Sequence, residues 1–239
     1  MNTKIRVGGV AVQIVRKDIK NLHLGVYPPS GWVRVAVPLR VSNEAVRLAV
    51  IGKLGWIKRQ RARFEAQPRL SEREMVSGES HFVLGQRFRL CVVNHEGAAK
   101  VVVRNKSTIE LRMRRETNTE QRARVLQRWY RQQLKQLIPP LLEKWQPVLS
   151  VQVADWAIKR MKTKWGCCNV EAGRVWLNLE LAKKPVQCLE YIVVHELAHL
   201  LERHHNDRFI ALMDKSLPKW RMHRDELNRA PLAHETWSY

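Results

Sequence analysis

The first forty residues alternate between apolar and polar side chains in short stretches, which is the pattern of half-buried β-strands. Turn-forming residues, among them Pro28, Pro29 and Gly31, interrupt the alternation. The order of stretches and turns is typical of an antiparallel meander. The predicted strands cover residues 10–15, 22–27 and 32–37.

Two longer segments, residues 43–57 and 118–145, place apolar residues at the spacing of an amphipathic helix. We expect Pro139 and Pro140 to kink or break the second helix, because proline lacks the N–H that a helix interior needs. A further group of strands is predicted between the two helices, at residues 81–84, 88–93, 101–104 and 108–113.

The last third of the chain changes from strands to helices. Strands are predicted at residues 151–158 and 174–181, and helices at 185–202 and 206–217, with a short last helix from Pro218. Strands first and helices last make an α+β fold. We expect an N-terminal region of antiparallel strands with helices, residues 1–150, followed by a region at 151–239 that carries the candidate chemistry.

The predicted helix at 185–202 is apolar on every side of its middle, and such a helix is buried. Its polar exceptions are His195, Glu196 and His199. A buried carboxylate is costly unless its charge is compensated, and a metal ion is the natural compensation. Residues i and i+4 share a helical face, so the two imidazoles can converge on one ion. This His-Glu-x-x-His pattern predicts a Zn²⁺ site in which Glu196 takes the proton of the attacking water.

A catalytic zinc of this kind requires a third protein ligand, and Glu202, His204 and His205 follow closely. On a continuous helix with about 100° per residue, Glu202 would lie about 20° from His195. Either histidine reaches the ion only if the helix ends and the chain turns back, which the turn-forming Asn206 allows. Helical geometry therefore favours Glu202 as the third ligand, and it excludes neither His204 nor His205.

Further residues flank this helix in a specific pattern. The run His195-Glu-Leu-Ala-His199-Leu is followed by His205, Phe209 and Pro218 and is preceded by Met161-Lys-Thr-Lys-Trp-Gly. These residues resemble the YgjP-like metallopeptidase-domain family, most closely over residues 159–220 and more loosely over the N-terminal strands. The resemblance implies a zincin-like metallopeptidase minidomain within one continuous YgjP-like unit.

The resemblance also implies roles for single residues. His195, His199 and His205 match the metal ligands of the family, with one zinc ion per chain, and Glu196 matches its catalytic base.

The upstream motif implies substrate contacts, because Lys162, Lys164 and Trp165 would border the metal cleft and meet an anionic or carbonyl oxygen. Two positions depart from the family pattern, with Cys167 in place of the usual Ser and Ile210 in place of Trp. We therefore expect a substrate site of somewhat different shape.

The charge of the chain points to a further partner. It has 43 Lys and Arg against 22 Asp and Glu, a formal net charge of +21. Charge on this scale attracts polyanions at physiological salt, so non-specific nucleic-acid association through the basic stretches at 58–63 and 112–131 is expected. The sequence contains no helix-turn-helix, zinc-finger or RNA-binding motif that would add base recognition.

Together these patterns predict a zinc-dependent hydrolase of zincin type with a peptide or protein substrate. Two alternatives remain: a nucleoside triphosphate pyrophosphatase, an activity that the resemblance also implies, and a basic nucleic-acid-associated module with a metal site. The four cysteines include no CxxC spacing, and no apolar run has the length of a membrane span. We therefore expect a cytoplasmic protein without membrane contact.

Overall fold

The computed structural model describes residues 2–27, 31–66, 73–161 and 164–229. The chain forms two compact units, one built from residues up to 71 and the other from residues 72–230. The boundary expected after residue 150 falls inside the second unit, because elements on both sides of that point share one apolar core.

Four strands form the sheet of the first unit in the order β1-β2-β4-β3. The expectation of a purely antiparallel meander is wrong, since β2 and β4 are parallel neighbours while the outer pairs are antiparallel. The two most deeply buried strands take the centre, where Ile14 of β2 and Val35 of β4 have no exposed surface. The strands are β1 (Asn2–Val7), β2 (Val10–Lys17), β3 (His23–Tyr27) and β4 (Trp32–Pro38).

Two helices, α1 (Asn43–Ile51) and α2 (Leu54–Ala66), follow this sheet. The Ser42 side chain caps α1 by accepting from the Ala45 amide at 3.2 Å. Apolar residues of both helices join the core of the first unit, among them Val46, Val50 and Ile57.

The second unit begins with a sheet of the same strand order, β5-β6-β8-β7, again with a parallel inner pair. The sequence shows no repeat, so this likeness was not predicted. One face of the sheet carries apolar side chains such as Phe88, Leu90 and Ile109 into the core. The strands are β5 (Ser80–Val83), β6 (Gln86–Asn94), β7 (Lys100–Asn105) and β8 (Thr108–Met113).

A single helix, α3 (Thr119–Leu149), packs against this sheet. It begins with a capping box, in which the side chains of Asn118 and Gln121 each accept from the backbone amide of the other, both at 2.9 Å. The break expected at Pro139 and Pro140 does not occur. Packing of a long buried stripe outweighs the hydrogen bonds that these prolines remove. The C-terminal part of the stripe consists of Leu134, Ile138, Leu142, Trp145 and Leu149.

A three-stranded sheet of order β10-β11-β9 completes the second unit with three helices. Strand β11 is parallel to β9 and antiparallel to β10. The sequence predicted β9 and β11 but not β10, and it extended α4 beyond its observed end. The elements are β9 (Asp155–Lys159), β10 (Gly166–Asn169), β11 (Arg174–Asn178), the 3-10 helix η1 (Leu179–Lys183), α4 (Val186–Ala198), α5 (Asp207–Ser216) and α6 (Trp220–Arg229).

None of the helices in the described parts of the chain combines the length and the apolar character needed to cross a membrane.

Candidate metal centre

Helix α4 lies against the three-stranded sheet and against α3, α5 and α6, and its middle is buried on every side. Val193, Val194 and Leu197 have no exposed surface. His195 and Glu196, the polar residues in the middle of this helix, therefore lie among apolar side chains, as the sequence predicted.

The turn between β5 and β6 anchors the start of α4. Its residues Leu84 and Gly85 have φ of 48° and 83°, which is typical of a type I′ hairpin turn. Their amides donate to the η1 carbonyls of Ala182 at 2.9 Å and Lys183 at 3.2 Å. A Cβ on Gly85 would lie 2.7 Å from Cγ of Pro185, so this close approach requires glycine. The second sheet thus holds the polypeptide directly before α4.

Helix α4 ends at Ala198, and the chain then turns back. The Glu202 amide donates to the Ala198 carbonyl at 2.9 Å. A new helix starts soon afterwards, because the Asn206 side chain caps α5 by accepting from the Phe209 amide at 3.0 Å. This short connection brings His205 back beside α4.

Three imidazoles, those of His195, His199 and His205, form one cluster whose ligand nitrogens all lie within 4.8 Å of one another. The Nε2 atoms of His195 and His205 are 3.1 Å apart. Two nitrogens bound to one tetrahedral zinc ion lie about 3.3 Å apart, so this spacing fits a metal with little adjustment. The ring of Phe209 packs against all three imidazoles, with centroid distances of 4.8 to 5.0 Å.

The structure separates the three residues considered for the third ligand position. His205 lies in the cluster. Glu202 contacts the cluster with its backbone, since the Glu202 carbonyl oxygen is 3.1 Å from Nδ1 of His199. A carbonyl only accepts, so His199 donates from Nδ1 and keeps the Nε2 lone pair for a metal. His204 is exposed, and its amide donates to the Glu202 side chain at 3.4 Å.

Burial keeps the imidazoles of His195 and His199 neutral. Burial, together with the neighbouring His199 and His205, lowers the pKa of His195 to about 3. Burial is also the main cause of the lowered pKa of His199. Nδ1 of His195 is buried and has no hydrogen-bond partner within the described residues. Unprotonated nitrogens are the form that binds a metal, so the donor set fits a divalent ion.

Glu196 is buried beside the cluster, with 4% of its surface exposed. Burial raises the pKa of its carboxyl to about 8, and the positive charge of Lys164 partly opposes this. Strand β10 passes very close, since a Cβ on Gly166 would lie 2.3 Å from Oε1 of Glu196. Only glycine leaves room for the carboxylate at this point.

Asn178, which the sequence analysis missed, binds the backbone at Met161 and Lys164, ahead of β10. Its Nδ2 donates to the carbonyls of Met161 and Lys164, both at 2.7 Å. Its Oδ1 accepts from the Glu180 amide at 3.2 Å. One sequence feature could have identified it: an Asn stands at the end of an apolar strand, where its side chain can cap the next helical turn. The side chain is 4% exposed, so these bonds form in the interior, where they hold the backbone at Met161 and at Lys164.

A cleft of about 790 Å³ opens over the cluster. Lys164 and Trp165 line it, as the family motif implied, whereas Lys162 lies outside the described residues. Cys168 lines it too. Burial, followed by the charge of Glu196, raises the pKa of the Cys168 thiol to about 11, so the group stays protonated.

Comparison with known proteins assigns the family. No curated protein matches the chain significantly. Among solved structures, the metallopeptidase zymogen of Pyrococcus abyssi abylysin is similar, with 24% sequence identity and a TM-score of 0.35, over 37% of this chain and 89% of that chain. The model of the YgjP-like metallopeptidase domain matches residues 20–230, a span that contains the cluster and the cleft. The chain therefore belongs to the YgjP-like metallopeptidase-domain family.

Proposed function

We propose that the chain is a zinc-dependent metallopeptidase. The observation that carries the proposal is the cluster of three imidazoles with the buried Glu196 in the same cleft. Membership of the family supports a metallopeptidase-like hydrolase. Three histidine nitrogens with an open fourth position are a typical ligand set of catalytic zinc, and they support the choice of metal.

His195, His199 and His205 would hold one ion per chain. Zinc in such a site acts as a Lewis acid and lowers the pKa of water. Burial keeps His195 and His199 unprotonated, and a bond to a backbone carbonyl orients His199. Packing against Phe209 holds all three rings in place.

Glu196 is the general base in this proposal. Its pKa of about 8 lies close to a neutral working pH, where a base both accepts and returns protons efficiently. The carboxylate takes a proton from the attacking water and delivers it to the leaving amine. Gly166 provides the space in which the carboxylate stands.

Replacement of Gly166 by Ala should reduce turnover about 10-fold, because the added methyl group displaces the Glu196 carboxylate from its working position. Metal content should not change. Gly55→Ala is the matched control, since its Cβ would meet nothing closer than 3.6 Å. Steady-state kinetics with metal analysis of both variants tests this. Equal turnover of Gly166→Ala and the wild type would show that β10 does not set the position of Glu196.

A nucleoside triphosphate is the second candidate substrate, and the charge of the cleft favours it. Among the described residues, Lys164, Arg203 and Arg224 line the cleft and outnumber its two acidic lining residues, Glu171 and Glu196. Cationic side chains of this kind bind phosphate oxygens as well as peptide carboxylates. Hydrolysis would then release pyrophosphate.

The test combines metal analysis with a comparison of substrates. Purified protein should contain about one zinc ion per chain and should cleave an unstructured protein such as casein. A chelator should abolish cleavage while the far-UV circular dichroism spectrum stays unchanged, and added zinc should restore it. Pyrophosphate release without peptide cleavage would overturn the peptidase in favour of the second candidate. Full activity of metal-free protein would overturn both.

We also propose a reducing compartment, the cytoplasm, for this protein. All four cysteines, Cys91, Cys167, Cys168 and Cys188, are free thiols.

A further inference from the structure

A second cleft, of about 530 Å³, lies in the second unit beside α3 and shares no lining residue with the metal cleft. Its charged lining residues are Arg124, Arg128 and Arg131. No acidic residue lines it among the described parts of the chain. The neutral lining residues are Ala99, Met113, Thr117, Gln121, Val125 and Gln127.

The three arginines follow one face of α3, because they are spaced four and three residues apart, and Lys135 continues that face four residues later. Arg128 and Lys135 are exposed. The side chain of Arg124 is 61% exposed, and its ion pair with Glu120, at 3.6 Å, is too exposed to hold it firmly. At about 1.5 Å per residue, the face from Arg124 to Lys135 is about 16 Å long, which equals the rise of about five base pairs of a duplex.

The positive charge continues from α3 to the metal cleft. Arg131 donates to the carbonyl of Ile158 in β9. The next residue, Lys159, is exposed, and its Nζ lies 3.9 Å from the ring centroid of Trp176. Trp176 lines the metal cleft. Five cationic residues thus form a basic strip that ends at the rim of that cleft: Arg124, Arg128, Arg131, Lys135 and Lys159.

We propose that the basic strip binds the phosphodiester backbone of a nucleic-acid duplex. Guanidinium groups suit phosphate oxygens, and the net charge of +21 attracts a polyanion from a distance. The lining of the cleft beside α3 favours a duplex over a single strand as the ligand. No aromatic side chain lines it among the described residues, whereas single-strand binding relies on aromatic groups that stack on bases. This binding is independent of the proposed peptidase activity.

The test measures binding of a mixed-sequence DNA duplex of about 20 base pairs as a function of salt. In the wild type, the logarithm of the association constant should fall steeply with the logarithm of salt concentration. The double variant Arg124→Gln with Arg128→Gln should bind at least about 10-fold more weakly near physiological salt. Its slope should be shallower by about two units, one for each lost phosphate contact. Metal content of the variant reports that the fold is intact.

Arg87→Gln with Arg89→Gln is the matched control. Both residues are exposed on β6, on the sheet face opposite the one that carries Phe88 and Leu90 into the core. This variant loses the same charge and should keep the wild-type slope. Equal weakening by both double variants would overturn the basic strip as the binding surface. Single-stranded DNA bound as tightly as the duplex would overturn the preference for a duplex, and poly-glutamate bound as tightly would overturn nucleic acid as the partner.

Discussion

Replacement of Glu196 by Gln should lower turnover by about 10²- to 10⁴-fold while the protein keeps its metal. Gln has nearly the same shape as Glu and fits the narrow space beside Gly166, so the fold should tolerate the change. Its amide cannot accept a proton from water, so the chemical step loses its base. Steady-state kinetics and metal analysis on the same sample measure both effects.

A control on the same helix separates loss of the base from disturbance of α4. Glu190 accepts from Lys144 at 2.7 Å and from Nε1 of Trp145 at 2.9 Å, and it does not line the metal cleft. Glu190→Gln should therefore stay within about twofold of wild-type turnover, as expected for a change remote from the reacting atoms. Retained activity of metal-loaded Glu196→Gln would contradict the assignment of Glu196 as the base.

Replacement of His205 by Ala should weaken zinc binding by more than about 10²-fold, because a ligand is lost outright. The side chain is exposed, so its loss costs little in folding. Isothermal titration with zinc measures the affinity directly. Thermal melts provide a second reading, since bound zinc should raise the melting temperature of the wild type but not that of His205→Ala.

His204→Ala is the paired control, because the neighbouring imidazole is exposed and lies outside the cluster. It should bind zinc with nearly wild-type affinity and should show the same increase in melting temperature. Loss of zinc from His204→Ala together with retention by His205→Ala would overturn the proposed ligand set.

The grouping of His195, Glu196 and His199 could be predicted because a four-residue spacing on one helix is a local property of the chain. The position of the third imidazole could be predicted from the family resemblance but not from helical geometry. The angle that favours Glu202 assumes an unbroken helix, whereas α4 ends at Ala198 and the connection to α5 reverses the chain. Tertiary packing decides where such a helix ends, and helical periodicity alone does not report it.

Strand positions were also predictable where burial alternates clearly, as in β4 and β8. The pairing of the strands was not predictable, because apolar residues alternate in the same way in parallel and in antiparallel strands. Strand β10, with the sequence Gly-Cys-Cys-Asn, carries no alternation at all, so its place at the edge of the third sheet follows only from the structure. Helix α3 continues through Pro139 and Pro140 for a similar reason, because long-range packing outweighs the local effect of the two prolines.

The two sheets of matching strand order have a consequence for how the protein is made. Each sheet consists of two hairpins, and two-residue turns close β1–β2 at Gly8–Gly9, β5–β6 at Leu84–Gly85 and β7–β8 at Lys106–Ser107. A hairpin closes in about 1–10 μs, because the residues that pair are close in sequence. The sheet of the second unit and α3 precede α4 in the chain, so a ribosome releases this part of the unit before it releases the histidines. Synthesis from the N-terminus therefore gives the metal-binding segment a formed surface on which to fold.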